Sequence, residues 1–338
     1  MNESTRRDFL RATGAAAVAW LAPSGLAAAG NIKASIAIGS TDYSWALSLV
    51  AKQGGYWEQF GTDIIERDFP SGRDAMQALM ANSANFSTTT DTPLVFSLLR
   101  GVAPRVLLDF SRYTSDMQLV SIAGHGVNAD DPGSLKGKKV GTPIGTSGQY
   151  MLARYLKYAG LKESDITLIN ISPADLINTL IRGDIDAFAW TLTAGKAAIT
   201  KSEGKAFLMA QRGFEAYFRS HLLLLTNDQT IAGNQPLLIN AVKAHLAAEK
   251  RIKDDPKWAD LIAARVRIPA TDILEATNNI DLTICFDESF IDDLVTEAQW
   301  AIEAKLAPAP GGDLRKLLCG AIYDAPLKNV AFDRVSLK

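Results

Sequence analysis

Cysteine and histidine are scarce in this chain of 338 residues. Two cysteines, Cys285 and Cys319, and three scattered histidines, His125, His221 and His245, are all it has. Ligands so few and so far apart argue against a metal site and against a Cys–His nucleophile. A Gly-x-Ser-x-Gly elbow is also missing, as is any dense His/Asp/Glu cluster of metal-ligand spacing, so no catalytic residue is nominated and no enzyme is expected. Neither charge sign is in excess. Lys and Arg total 35 against 37 Asp and Glu, a net charge of -2, which gives no reason to expect nucleic acid or an anionic membrane as partner. After the N-terminal segment no apolar run approaches the roughly 20 residues a membrane span requires. Low-complexity tracts and Gly/Ser-rich linkers are absent too. Nothing in the composition calls for a cofactor.

What is present starts with an export signal. Arg6 and Arg7, followed by Asp8, Phe9 and Leu10, match the twin-arginine pattern, which implies export of a folded protein. An apolar stretch from Ala12 to Ala22 follows, then Pro23 and Ser24, then Ala27-Ala28-Ala29. This is the charged, apolar, small-residue order of a signal peptide spanning 1–29, with cleavage expected after Ala29. No cysteine stands near that point, so a lipid anchor is not expected, and the mature chain is expected to be soluble in the periplasm. About 309 residues remain (338 less 29), enough for two lobes. Hydrophobic residues make up 47% of the chain, enough for a sizeable core. An oxidising compartment permits a bridge between Cys285 and Cys319; two separate thiols fit the sequence equally well.

Periodicity then predicts a strand–helix series. Strands are expected at 32–38, 62–68, 84–88 and 106–110, and helices at 45–53, 73–81 and 94–100, with Pro93 in the first turn of the last. The pattern restarts near Met117, with strands at 119–123, 139–142, 166–171 and 185–190 and helices at 149–159 and 174–181. Two such series in succession signal two α/β lobes. A leucine-rich strand is expected at 221–226. Beyond Asn234 the chain reads as helical at 236–253, 257–263, 271–277, 287–305 and 314–319.

Several segments, in order, carry a resemblance. They are Gly54-Gly55-Tyr56-Trp57-Glu58-Gln59-Phe60-Gly61, Ser71-Gly72-Arg73-Asp74-Ala75-Met76-Gln77-Ala78-Leu79, Ala84-Asn85-Phe86-Ser87 with Asp91-Thr92-Pro93-Leu94, Leu135-Lys136-Gly137-Lys138-Lys139-Val140-Gly141 with Gly145-Thr146-Ser147, and Leu180-Ile181-Arg182-Gly183-Asp184-Ile185-Asp186-Ala187. Together they cover most of the chain after the signal. On these segments the chain resembles the solute-binding proteins of ABC importers, in the family that takes taurine, alkanesulfonates and nitrate and also includes thiamine-precursor binders. The resemblance implies an α/β fold, the two-lobed periplasmic binding protein of type II. Each lobe would be a mixed sheet flanked by helices, the two joined by crossing strands near 111–116 and 213–220. It implies a first lobe in two parts, 30–113 and 216–338, the latter with the C-terminal helices, and a second lobe at 114–215. It also implies one small organic anion, sulfonate or taurine-like, held in the cleft of a monomer that delivers it to an ABC permease. A pyrimidine, another nitrogen heterocycle or an aromatic carboxylate are alternative ligands, and a sensory receptor an alternative partner. Pyrimidine-synthesising relatives carry a cysteine-rich motif and a reactive histidine, and this chain has no cysteine before Cys285. One departure stands out: Thr191-Leu192-Thr193-Ala194 follows Trp190 where the family often has a Trp-x-Pro pattern.

In open α/β sheets ligands sit outside the carboxyl ends of the strands. The segments there give the candidate ligand-binding residues: Ser40, Thr41, Asp42 and Tyr43; Ser71, Gly72 and Arg73; Asp91 and Thr92; Thr146, Ser147 and Gly148; Trp190 and Thr191. Small and hydroxyl residues at a helix start offer backbone N–H groups and the positive end of the helix dipole to an anionic oxygen, and Arg73 adds a cation. Plain N-capping is the alternative for each Ser and Thr. Asp42 and Asp91 instead favour an ammonium or N–H group on the ligand, or in Asp91's case a helix cap. Tyr43, Trp45 and Trp190 could stack on a ligand body, Trp45 being equally suited to the core. Arg112 and Arg219 lie near the crossings, where they reach either a ligand acid group or solvent.

Overall fold

The computed structural model describes residues 30–40 and 42–337; the segment 1–29, expected to be an export signal, and Thr41 lie outside the described residues. Eleven strands are assigned among them: β1 Ile32–Gly39, β2 Thr62–Phe69, β3 Phe86–Thr90, β4 Arg105–Tyr113, β5 Met117–Ile122, β6 Lys139–Thr142, β7 Thr167–Asn170, β8 Ala187–Thr191, β9 Ala206–Leu208, β10 Ser220–Thr226 and β11 Ile280–Asp281. They form two sheets, ordered β11-β4-β10-β3-β1-β2 and β7-β6-β8-β5-β9. The chain passes from the first sheet to the second between Tyr113 and Met117 and returns between Leu208 and Ser220.

The two sheets share a plan. In the first, β1 lies between β2 and β3, parallel to both, and β10 is inserted antiparallel beside β3. In the second, β6 lies between β7 and β8, parallel to both, and β5 is inserted antiparallel beside β8. Each inserted strand is the first one laid down after a crossing. Short loops from parallel strands into helices put the carboxyl ends of β1, β2 and β3 on the same side as those of β6 and β8, and that arrangement makes the cleft.

Leu222 to Leu225 form an unbroken apolar run because β10 is an interior strand with both faces covered; all four leucines are at most 1% exposed. Burial of each contributes roughly 1.5–3 kcal/mol. The same position explains one difference from the sequence pattern. The strand expected at 84–88 runs on through Thr89 and Thr90, and the three threonines are the last residues of β3, held between β1 and β10. Thr88 Oγ1 accepts the Gly39 N–H at 2.9 Å, so a hydroxyl is satisfied inside the sheet. The following helix then starts at Asp91 and not at Leu94.

Short 3-10 turns aside, six elements have no counterpart in the sequence-based pattern: the helix Leu192–Lys201, strands β9 and β11, and the short helices Tyr56–Gln59, Asp228–Gly233 and Ala325–Val330. The first replaces the Trp-x-Pro pattern with a different device, for Thr191 Oγ1 caps the helix by accepting the Ala194 N–H at 3.3 Å. The C-terminal segment completes the first lobe. The helix Gln235–Asp254 packs on the helix Ala46–Gln53, and the chain beyond reaches β4 through a bridge between Val106 and Ile322. Cys285 and Cys319 are separate free thiols. Among the described residues no helix is long and apolar enough to cross a membrane.

Candidate ligand-binding cleft

Two helices aim their N-termini into the cleft from opposite lobes. In the first lobe the helix Gly72–Met80 begins after Ser71, whose backbone is extended. Ser71 Oγ accepts the Asp74 N–H at 3.2 Å and donates to Asp74 Oδ2 at 2.7 Å, and the Ala75 N–H bonds back to the Ser71 carbonyl. That leaves Gly72 and Arg73 at the helix start with N–H groups that have no intrahelical partner. In the second lobe the helix Ser147–Tyr158 begins after Thr146. The Gln149 and Tyr150 N–H groups bond back to the Thr146 carbonyl, so Ser147 and Gly148 hold the equivalent positions. The two helix starts and their dipoles therefore converge on one space.

Two glycines permit this approach. A Cβ on Gly148 would stand 2.6 Å from Thr142 Oγ1 and 2.9 Å from the Trp190 ring, and one on Gly72 would stand 2.9 Å from the Thr89 Cα. Both distances are shorter than real Cβ contacts, so the helix starts sit against the strand ends only without side chains.

The space between them is a cavity of about 30 Å³, closed over by both lobes. Of the candidate residues, Ser40, Ser71, Gly72, Arg73, Thr146, Ser147, Trp190 and Thr191 line it. Ser147 Oγ donates across the cleft to Thr90 Oγ1 at 2.6 Å, and an Arg73 guanidinium N–H reaches the Ile144 carbonyl of the opposite lobe. Ser40 holds a left-handed backbone (φ 70°), steadied by Trp45 Nε1 donating to its hydroxyl at 3.1 Å. A non-glycine residue there costs about 1–3 kcal/mol, and the strain sits at the cavity wall. Trp45 thus lines the cavity with one edge and packs on Phe110 with its ring.

The other candidates among the described residues lie behind this wall. Gly148 acts through the fit just described. Tyr43 donates to Asp116 Oδ1 at 2.6 Å, and Asp42 accepts the Ser44 N–H. Asp91 is buried and fully engaged: Oδ1 accepts from Ser220 Oγ at 2.7 Å and from the Thr92 N–H at 3.0 Å, while Oδ2 accepts the His221 N–H at 2.9 Å. It ties β10 to the helix Asp91–Leu99. Thr92 donates to the buried Glu297. Arg112 is neither solvated nor in the cavity. It pairs with Asp109 at 2.8 Å and Asp281 at 3.2 Å and donates to Cys285 Sγ at 3.1 Å. Arg219 pairs with Asp293 at 3.1 Å.

Asp116 is a cavity residue missing from the sequence-based candidates, as are Ser44, Thr90 and Tyr113. It stands in the first crossing, where the chain forms the floor of the cleft, and lines the cavity with Ser44, Thr90 and Tyr113. Ser44 Oγ donates to its Oδ2 at 3.2 Å. Burial pushes the Asp116 carboxyl up, against the hydrogen bonds from Tyr43 and Ser44. Burial, and then the neighbouring Asp116, push Asp42 up to about 7. Asp116 thus sits at the floor, with Asp42 behind it, of a space whose other walls favour an anion.

Deeper in the first lobe His221 joins three elements. Its imidazole bonds to Asp109 on β4 at 2.9 Å and to Asp293 on the helix Glu288–Glu303 at 3.0 Å. Burial alone disfavours the imidazolium, but Asp109, then Asp293 and Asp91, outweigh it and raise His221 to about 10. Both ring nitrogens therefore donate.

Comparison with known proteins places the chain by family and fold. A putative binding protein of Brucella abortus is 30% identical over 162 residues, 48% of this chain and 49% of its own length. The taurine-binding periplasmic protein of Escherichia coli is 27% identical over 134 residues, 39% of this chain and 41% of its own. The chain thus spans about half the length, or less, of these curated relatives. Among solved structures, the alkanesulfonate-binding protein SsuA from Xanthomonas axonopodis pv. citri, bound to MOPS, superposes with a TM-score of 0.72 at 20% identity, over 88% of this chain and 100% of that one. That likeness shows the fold, the two-lobed architecture of periplasmic binding proteins. The family model described as NMT1/THI5 like matches residues 44–259, more than half of the sequence and both walls of the cleft; the chain belongs to the NMT1/THI5-like family.

Proposed function

We propose that this protein binds a small organic anion between its lobes, as the solute-binding component of an ABC importer, without catalysis. The observation that carries the reading is the convergence of two helix N-termini, one from each lobe, with Arg73 beside them, on a single closed cavity. A sulfonate offers three oxygens to the two helix starts and the Thr146–Ser147 wall. A taurine-like compound is the model ligand, in keeping with what the relatives' names say of those proteins. The cavity is small, so a ligand enters by parting the lobes and is then enclosed, the hinge closure that the handling of small solutes by such folds requires. The twin-arginine signal fits a periplasmic location, a monomeric carrier and a membrane permease as its partner.

A second reading rests on Asp116 and Asp42. If the acids are ionised when ligand is bound, they favour an ammonium or a nitrogen heterocycle with N–H donors. The two readings differ in the sign of one pH dependence. An anion binds best while the acids are protonated and loses affinity as pH rises through about 7, the value to which Asp42 is raised; an N–H or ammonium ligand gains affinity over the same range. Isothermal titration of the mature protein with ethanesulfonate, taurine and a pyrimidine at pH 5.5 and 8 decides between them. Micromolar or tighter Kd for a sulfonate, about -8 kcal/mol, weakening by about tenfold at the higher pH, is the expected result. Failure of every sulfonate to bind refutes the first reading.

A further inference from the structure

A larger groove opens beside the closed cavity, and Arg73 and Pro93 line both. Its volume is about 470 Å³, within the range of small-molecule pockets. Its walls are mainly apolar: Met76, Met80 and Phe96 from the first lobe, Val102 from the loop beyond, and Ile144 from the second. Val102 and Ile144 are 43% and 37% exposed, and apolar side chains gathered at a groove mark a binding surface more often than singly scattered ones do. Two methionines supply adaptable walls that accept varied shapes. The charged residues of the lining are Arg73 and Arg100, and no carboxylate is among them. Arg100 lies over the Phe96 ring, 5.1 Å from its centre. At the junction of the two spaces Arg73 reaches the Ile144 carbonyl, while its Nε is buried without a partner.

We propose that this groove is a second subsite, occupied by the apolar tail of the anion whose head is held in the closed cavity. The inference rests on the anion reading above and narrows it. The ligand class is an organic anion carrying an aliphatic or aromatic tail of several carbons, which leaves the cleft past Arg73. Continuity through Arg73 and Pro93 fixes where the tail emerges, and the lining, mainly apolar with Arg73 and Arg100 as its charged residues, favours an apolar extension and disfavours a cationic one. Because Ile144 belongs to the opposite lobe, a tail lying in the groove also bridges the two lobes and favours closure.

A homologous series of n-alkanesulfonates from two to ten carbons, titrated calorimetrically against the mature protein, tests this. Affinity is expected to rise about threefold to fourfold per methylene once the chain reaches the groove, since each buried CH₂ is worth about 0.8 kcal/mol. Val102→Glu, at an exposed position that tolerates a charge, is expected to flatten that rise and leave ethanesulfonate binding unchanged. Met80→Gln, checked for folding by its melting curve, is expected to weaken the rise in the same way. If ethanesulfonate binds and chain length has no effect, the subsite is refuted while the anion reading stands. A rise that neither variant alters also refutes it, because the tail then lies elsewhere. If no sulfonate binds, the anion reading falls and this inference with it.

Discussion

In the first lobe the helix start at the cleft is secured by its own side chains: Ser71 and Asp74 bond to each other, and Ser71 Oγ also caps the Asp74 N–H. The corresponding helix of the second lobe has no such side-chain cap; Ser147 turns its hydroxyl across the cleft to Thr90 instead. The same division holds deeper in. The first lobe is braced behind the cleft by Asp91, His221, Asp109 and Asp293, whereas around the second lobe's sheet the packing is chiefly apolar, with Val120, Leu176, Leu180 and Phe188 almost wholly buried. One sheet plan thus serves two ends. The first lobe presents a wall braced from within, and the second presents a hydroxyl, Ser147 Oγ, bonded across the cleft.

The largest effect expected from breaking this contrast is at His221. Replacing it with leucine strands Asp109 and Asp293 beside a buried apolar group, a loss of about 3–5 kcal/mol. Denaturant unfolding should show the loss; a change below about 1 kcal/mol would mean the brace contributes little. Gly148→Val comes next. Its side chain has no room against Thr142 and Trp190, so stability should fall by about 1–3 kcal/mol and sulfonate affinity by tenfold or more, both seen in one thermal-shift series with and without ligand. A paired experiment sharpens the comparison between lobes. Ser71→Ala should cost stability, about 1 kcal/mol for a lost cap, with little change in affinity. Ser147→Ala should instead lower affinity about fivefold, one hydrogen bond's worth, and leave the melting temperature nearly unchanged. Equal behaviour of the two variants would erase the distinction drawn here.

The smallest effect is a drift with pH. Asp42 and Asp91 are raised in the fold, to about 7 and about 6, chiefly by burial. The stability they contribute is complete below the carboxylate's ordinary value near 4 and is lost as pH climbs through those raised values. His221, raised to about 10, contributes stability that is complete below the usual histidine value and lost as pH passes 10. Each group therefore acts in the same direction, and the melting temperature should decline from pH 5 to pH 10. A maximum on the alkaline side would contradict these assignments.

Much of this was legible in the sequence, and the reasons differ by element. Alternation and helical spacing exposed the repeated strand–helix series, because one buried face imposes its period on the residues. The small-residue starts at Ser71-Gly72 and Thr146-Ser147-Gly148 were visible for the same kind of reason: only small residues fit where a helix meets a strand end. The strand's extension through Thr89 and Thr90 was not visible because a run of threonines reads as polar, yet they are β-branched and fit an interior strand. Asp116 left no trace because its role comes from the crossing under the cleft, a long-range placement that no local pattern encodes. The charge cluster of Asp109, Arg112, His221 and Asp293 is spread over 184 positions (293 less 109) and assembles only when β4, β10 and the helix Glu288–Glu303 meet.

The account's central claim is that an anion is caught between two helix N-termini from opposite lobes. Residue-resolved amide NMR during titration with ethanesulfonate tests it most directly. The backbone N–H signals of Gly72, Arg73, Ser147 and Gly148 should move downfield together and saturate at one common Kd. Shifts confined to one lobe, or absent from all four while ligand binds, would contradict it.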